Sequence, residues 1–193
     1  MSYSATALAN TFIDYALNNH EDTSLRENNP HYIPEDNPIS YQRYLRNIKI
    51  NHLNEIKLQY LLFFTQVWSL QYHQETIIDD VFVAGQFGPI IPDIHSSLAQ
   101  LNNKPLKEYI SNVKNNYKVI SRIGPWDKKN ICLIESIARE YGLLSATELS
   151  KKITHHPGWQ LLQKNKLNNR DEQLGVSALQ LFFNQERKLH CLG

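Results

Sequence analysis

Glycine and cysteine are scarce in this chain, with seven glycines and two cysteines among 193 residues. Cys132 and Cys191 stand far apart without Cys-x-x-Cys spacing, which excludes a zinc knuckle and a disulfide scaffold and fits a reducing compartment. No P-loop, Gly-x-Gly-x-x-Gly turn or Gly-x-Ser-x-Gly elbow occurs. Charge of one sign is also lacking: 20 Lys and Arg face 19 Asp and Glu, a formal net charge of +1. No global field therefore steers the protein toward nucleic acid or an anionic membrane, and a nucleic-acid partner is not expected. No apolar run approaches the roughly 18 residues of a membrane span, and the first residues lack a basic segment followed by an apolar one. A cytoplasmic protein is expected, with translocation by a specialised secretion system left open.

What is present is an ordinary globular composition, 41% hydrophobic and 20% charged, enough for one domain with a real core. Ala5, Leu8, Ala9, Phe12, Ile13, Ala16 and Leu17 recur at helical spacing and predict a helix over residues 4–18. Residues 20–40 are rich in Asn, Asp, Glu and Pro and read as a long loop, and Ser40 caps a short helix in "SYQRYLRNI". The segment "HLNEIKLQYLLFFTQVWSLQYH" is apolar on nearly every face, as a buried hub helix must be.

Next, "TIIDDVFVAGQF" reads as one or two short strands, Gly88-Pro89 as a corner, and Pro92 as the first residue of a helix. "PLKEYI" and "YKVISRI" look like two more strands around Asn-rich turn material. Asp127 caps a helix that ends at Gly142, and Ser145 with Glu148 has capping-box spacing for another. "HHPGWQLLQ" makes a turn and a short helix, "NKLNNRDEQ" a polar linker, and "VSALQLFFNQERKL" a final helix. The fold expected is mainly α (α+β): a single helical core around a buried central helix, with a small β-hairpin or sheet flap.

Candidate chemistry is sparse. His155-His156 is the most metal-like pair, yet adjacent helical residues point about 100° apart and share no ion without a turn. A helix-ending turn in which one His caps carbonyls explains them better. Asp79-Asp80 fits a turn between helix and strand, and Cys132 sits among Ile131, Leu133 and Ile134 as an inert core thiol. An enzyme would need His155, His156, Asp79 and Asp80 to converge in a cleft. No catalytic residues, metal ligands or cofactors are assigned. Trp68 suits the core, while Trp126 and Trp159 suit either a core or an interface, and Phe87 is a candidate partner contact.

"LNEIKLQYLLFFTQVWSLQYH", followed by "IIDDVFVAGQFGPIIPDIHSSL" and "EYGLLSATELSKKITHHPGWQ", resembles the Panacea domain of SocA-like antitoxins in bacterial and phage toxin–antitoxin pairs. Leu58, Gln59, Leu61, Leu62, Gly88, Pro89 and Pro92 carry the structural motif. Two positions depart from the family pattern: Tyr60 replaces its Lys, and Gly85 stands in place of its Trp. The resemblance implies a non-enzymatic domain over residues 1–193, with a loop-rich insertion at 20–47 and a C-terminal extension at 165–193. It implies an antitoxin that binds a cognate toxin and in some members delivers it to a protease. The alternative is a secreted effector or regulatory adaptor that reuses the fold to bind another protein. Tyr60, Phe87, Asp93, His156 and Trp159 are the expected partner contacts.

Overall fold

The computed structural model describes residues 3–17, 49–114, 117–120, 127–165 and 173–182. The long loop at 20–40, the helix capped by Ser40, Trp126 and Cys191 lie outside the described residues. Among the described residues the chain forms α1 (Ala5–Leu17), α2 (Glu55–His73), β1 (Phe82–Ala84), β2 (Pro89–Ile90) and α3 (Pro92–Leu98). There follow a 3-10 turn at Ala99–Leu101, β3 (Ser111–Lys114), β4 (Tyr117–Ile120), α4 (Lys128–Tyr141), α5 (Ala146–Thr154), α6 (Pro157–Asn165), β5 (Gln173–Leu174) and α7 (Val176–Gln180). The fold is mainly helical with a small antiparallel sheet of order β2-β1-β5, and β3 pairs with β4 as a separate hairpin. Among the described residues no helix is long and apolar enough to cross a membrane.

α2 is the hub that the sequence predicts. Asn54 caps it by accepting the Lys57 N–H at 2.9 Å, and every residue from Lys57 to Leu70 is buried. Aromatic rings surround it. Phe63 meets Phe82 of β1 edge-on at 5.7 Å and Phe182 at 5.0 Å, while Phe64 stacks on Tyr141 of α4 at 4.3 Å. Trp68 is buried and donates its indole N–H to the Tyr141 hydroxyl at 3.1 Å. Burial of each such ring contributes roughly 2 to 3 kcal/mol, so these contacts dominate the stability of the core.

The irregular segments dock onto this core through buried amide side chains. Gln66 accepts the N–H groups of Ile77 and Ile78 at 3.1 and 2.9 Å. Gln59 accepts the Ile91 N–H at 2.9 Å and donates to the Ile91 carbonyl at 3.3 Å. Asn10 of α1 does the same for Ile110, at 2.8 and 3.1 Å. Each amide offers the donor and acceptor that a neighbouring strand would otherwise supply, so a buried loop keeps its backbone satisfied.

Several expectations need correction. "PLKEYI" is not a strand: Leu106 N–H donates to the Leu53 carbonyl, Ile110 pairs with Asn10, and the strand begins at Ser111. The polar linker "NKLNNRDEQ" contributes the start of β5, where Gln173 pairs with Val83 and Leu174 with Phe82. Cys132 is half-buried, because Leu133, Ile134, Ile137 and Ala138 form the face of α4 turned to the core. The final helix ends at Gln180 and turns, which brings Phe182 back onto Phe63.

One buried cation stands apart. Lys57 is 1% exposed, and its ammonium donates to the Gly142 carbonyl at 2.6 Å and to the Asn51 carbonyl. Desolvation lowers its pKa to about 8, against a smaller opposing pull from Glu148. Lys57 thereby ties the chain before α2 to the joint between α4 and α5.

Candidate partner-recognition site

Among the described residues, the segment from Phe87 to His95 is held from inside by side chains of two helices. β1 and β2 pair in register, Val83 with Ile90 and Ala84 with Pro89, and the Gly85 N–H closes the connection by donating to the Gly88 carbonyl at 2.9 Å. Gly88 has φ +147°, and a Cβ there would meet Tyr60 Cε1 at 2.7 Å. Only glycine suits both the backbone and the packing. This is the structural reason for the Gly88-Pro89 corner.

α2 grips the segment with side chains from its first two turns. Tyr60 donates its hydroxyl to the Phe87 carbonyl at 2.8 Å, Gln59 pairs with Ile91, and Glu55 meets His95 Nδ1. α5 adds a second grip on the same carbonyl, since Ser150 Oγ donates to Phe87 O at 3.0 Å. Pro92 opens α3 with no loss, because its missing N–H would have no helical acceptor.

The expected contact residues divide sharply. Phe87 is 66% exposed, and Asp93 is exposed in the first turn of α3. Tyr60, His156 and Trp159 are buried, so their side chains do not form the surface; Tyr60 holds it from beneath, while His156 and Trp159 pack against Phe182. Burial raises the Tyr60 pKa, with the Ser150 hydrogen bond opposing, so the phenol stays a donor at neutral pH. Leu58, Gln59, Leu61, Leu62 and Pro89 are buried in the core or along its edge, whereas Pro92 is exposed.

The remaining candidates are engaged internally. His155 ends α5, and His156 Nδ1 accepts the Gly158 N–H at 3.0 Å while its ring stacks on Phe182 at 4.7 Å. The ring captures an amide, where a carbonyl was expected. Burial lowers its pKa, which keeps the accepting lone pair available. Asp80 accepts the Ala5 N–H at 2.6 Å and so caps the start of α1, and the Asp79 N–H donates to the Tyr3 carbonyl. Among the described residues no group of three or more His, Cys, Asp or Glu is placed to hold a metal ion.

Glu55, His95 and Ser150 escaped sequence reasoning. Their signal was present but faint: Glu55 and Gln59 lie four residues apart on α2, and so do their partners Ile91 and His95.

The model of the family described as antitoxin SocA-like, Panacea domain, matches residues 58–160, more than half of the 193-residue chain. The chain belongs to this family. No curated protein and no solved structure matches it. The Panacea match runs from the middle of the first turns of α2 into α6, and so contains Tyr60, the β1–β2 hairpin, α3 and Ser150. α1, β5 and α7 lie outside the matched residues yet complete the core around the Panacea hub, through Phe12, Leu174 and Phe182. Within the matched residues, Tyr60 is the residue that packs on Gly88 and holds Phe87.

Proposed function

We propose that the protein is a non-enzymatic, cytoplasmic antitoxin that neutralises a cognate toxin by direct binding. Membership of the SocA-like antitoxin family carries this reading. It is supported by the contrast between an exposed Phe87 and the internal engagement of the polar groups that would have to converge in an enzyme, His156 and Asp80. Phe87 and Asp93 are the proposed contacts, with Tyr60 as the buried support of Phe87. Delivery of the bound toxin to a protease is part of the proposal, as a consequence of binding rather than of any chemistry in this chain.

The test is co-expression. The product of the neighbouring gene, expressed alone, is expected to arrest growth, and this chain is expected to restore it and to co-purify with that product. Growth arrest that persists, with no complex on size-exclusion chromatography, overturns the antitoxin reading. Toxin levels followed after synthesis is stopped decide the protease step: unchanged toxin lifetime with restored growth leaves binding alone as the mechanism.

A further inference from the structure

We infer that His156 is an acid-sensitive clasp: protonation of its ring turns the acceptor that caps α6 into a donor and releases α6 and Phe182 from the hub. The device lies apart from the Phe87 hairpin and does not depend on the antitoxin reading.

The geometry of the cap leaves the ring one workable protonation state. His156 precedes α6 as its N-cap: its carbonyl accepts the Gln160 N–H at 3.1 Å, and its ring Nδ1 accepts the Gly158 N–H at 3.0 Å. A backbone N–H can only donate, so Nδ1 carries a lone pair and the ring proton of the neutral form sits on Nε2. An imidazolium has a proton on both nitrogens. The added proton would face the Gly158 N–H, and the added charge would stand at the positive end of a helix. The cap is lost on both counts.

What the cap holds makes the loss consequential. The His156 ring stacks on Phe182 at 4.7 Å, and Phe182 in turn meets Phe63 of α2 at 5.0 Å and Trp159 of α6 at 6.4 Å. The main chain is equally close, since a Cβ on Gly158 would lie 2.4 Å from the Leu181 carbonyl oxygen. One imidazole therefore joins the start of α6 and the end of α7 to the hub.

Among the described residues, the elements around the ring bring Glu148, Lys151, Lys152 and His155 from α5 and Lys164 from α6, while β1, β5 and α7 bring no charged residue. Glu55, Lys57 and Tyr60 of α2 are engaged elsewhere, by His95, by the Gly142 and Asn51 carbonyls, and by the Phe87 carbonyl. Burial lowers the His156 pKa below the ordinary 6.5. The Phe182 face would attract an imidazolium, a pull opposed by burial, the lost cap and the helix dipole together. Because the unfolded chain binds this proton more tightly, the stability that His156 contributes is complete above pH 6.5 and is lost as pH falls through the lower folded value.

Nuclear magnetic resonance of the full chain between pH 7.5 and pH 5 tests the clasp. At pH 7.5 the ring proton of His156 is expected on Nε2, and a proton on Nδ1 overturns the inference. On acidification the Gly158 amide and the Phe182 ring are expected to follow the His156 ring, with one midpoint below 6.5. Asn is a strong N-cap that does not titrate, so His156→Asn keeps an acceptor and is expected to lose this response. Gly158 exchange in wild type relative to His156→Asn is expected to rise about tenfold from pH 7.5 to pH 5. His73, whose pKa burial also lowers, titrates in both chains and cancels from that ratio. The Ile78 amide, held by Gln66, is expected to stay protected. Equal responses of Gly158 in the two chains, or opening at Ile78 with the same midpoint, overturn the clasp. Should His156→Asn fail to fold at pH 7.5, wild type still decides, because a Gly158 amide that does not follow the His156 ring overturns the inference.

Discussion

The two sides of α2 use different physics. Toward α4 and α7 the helix presents Phe63, Phe64 and Trp68, which meet Tyr141 and Phe182 through ring contacts. Toward residues 77–91 it presents Gln66, Gln59 and Tyr60, each spending its polar atoms on backbone groups. The ring side contributes stability, because burial is non-directional and scales with area. The amide side contributes position, because a hydrogen bond to a given N–H admits one register of the loop and no other.

Variants on each side test that division. Phe63→Ala is expected to cost about 4 kcal/mol in urea unfolding, through the cavity left between Phe82 and Phe182. A smaller loss than that of any amide variant would break the comparison.

Lys57 supplies the next largest effect, as a pH dependence. Its folded pKa of about 8 lies below the ordinary value of 10.5, so the unfolded chain binds the proton more tightly. Stability from this group is therefore lowest below pH 8 and rises by up to about 3 kcal/mol as pH climbs toward 10.5. Unfolding of wild type and Lys57→Met, compared at pH 7.5 and 9.5, checks the sign: the difference between them should shift in favour of wild type at the higher pH.

Gly88→Val combines a disfavoured backbone with a clash against Tyr60 and is expected to cost about 2 to 3 kcal/mol. Thermal unfolding unchanged by this substitution would remove the corner from the account. Gln66→Leu leaves the Ile77 and Ile78 N–H groups without their acceptor, at an expected cost of about 2 kcal/mol. Amide exchange sharpens the comparison: Gln66→Leu should accelerate exchange at Ile77 and Ile78 far more than Phe63→Ala does at equal stability.

The ring side was legible in the sequence and the amide side was not. Phe63, Phe64, Val67 and Leu70 announce a buried helix by being apolar at every turn, and Asp127, Ser145 with Glu148, and Pro92 announce helix ends by local chemistry. Gln59, Gln66 and Asn10 carry no periodic signal, and their partners lie 11 to 100 residues away. "PLKEYI" misled for the same reason, since its backbone partners are Leu53 and Asn10 rather than another strand. At the site, Phe87 was legible as an aromatic beside a Gly-Pro corner. Ser150 was not, because only the folded chain brings α5 against the hairpin tip.

Phe182 closes against Phe63, His156 and Trp159 from near the end of the described chain. On the ribosome, then, the hub is made long before its last wall emerges. Until that residue leaves the exit tunnel, the Phe63 ring lacks one of its three edge-on neighbours, and the nascent chain carries an open aromatic socket of the kind that chaperones bind.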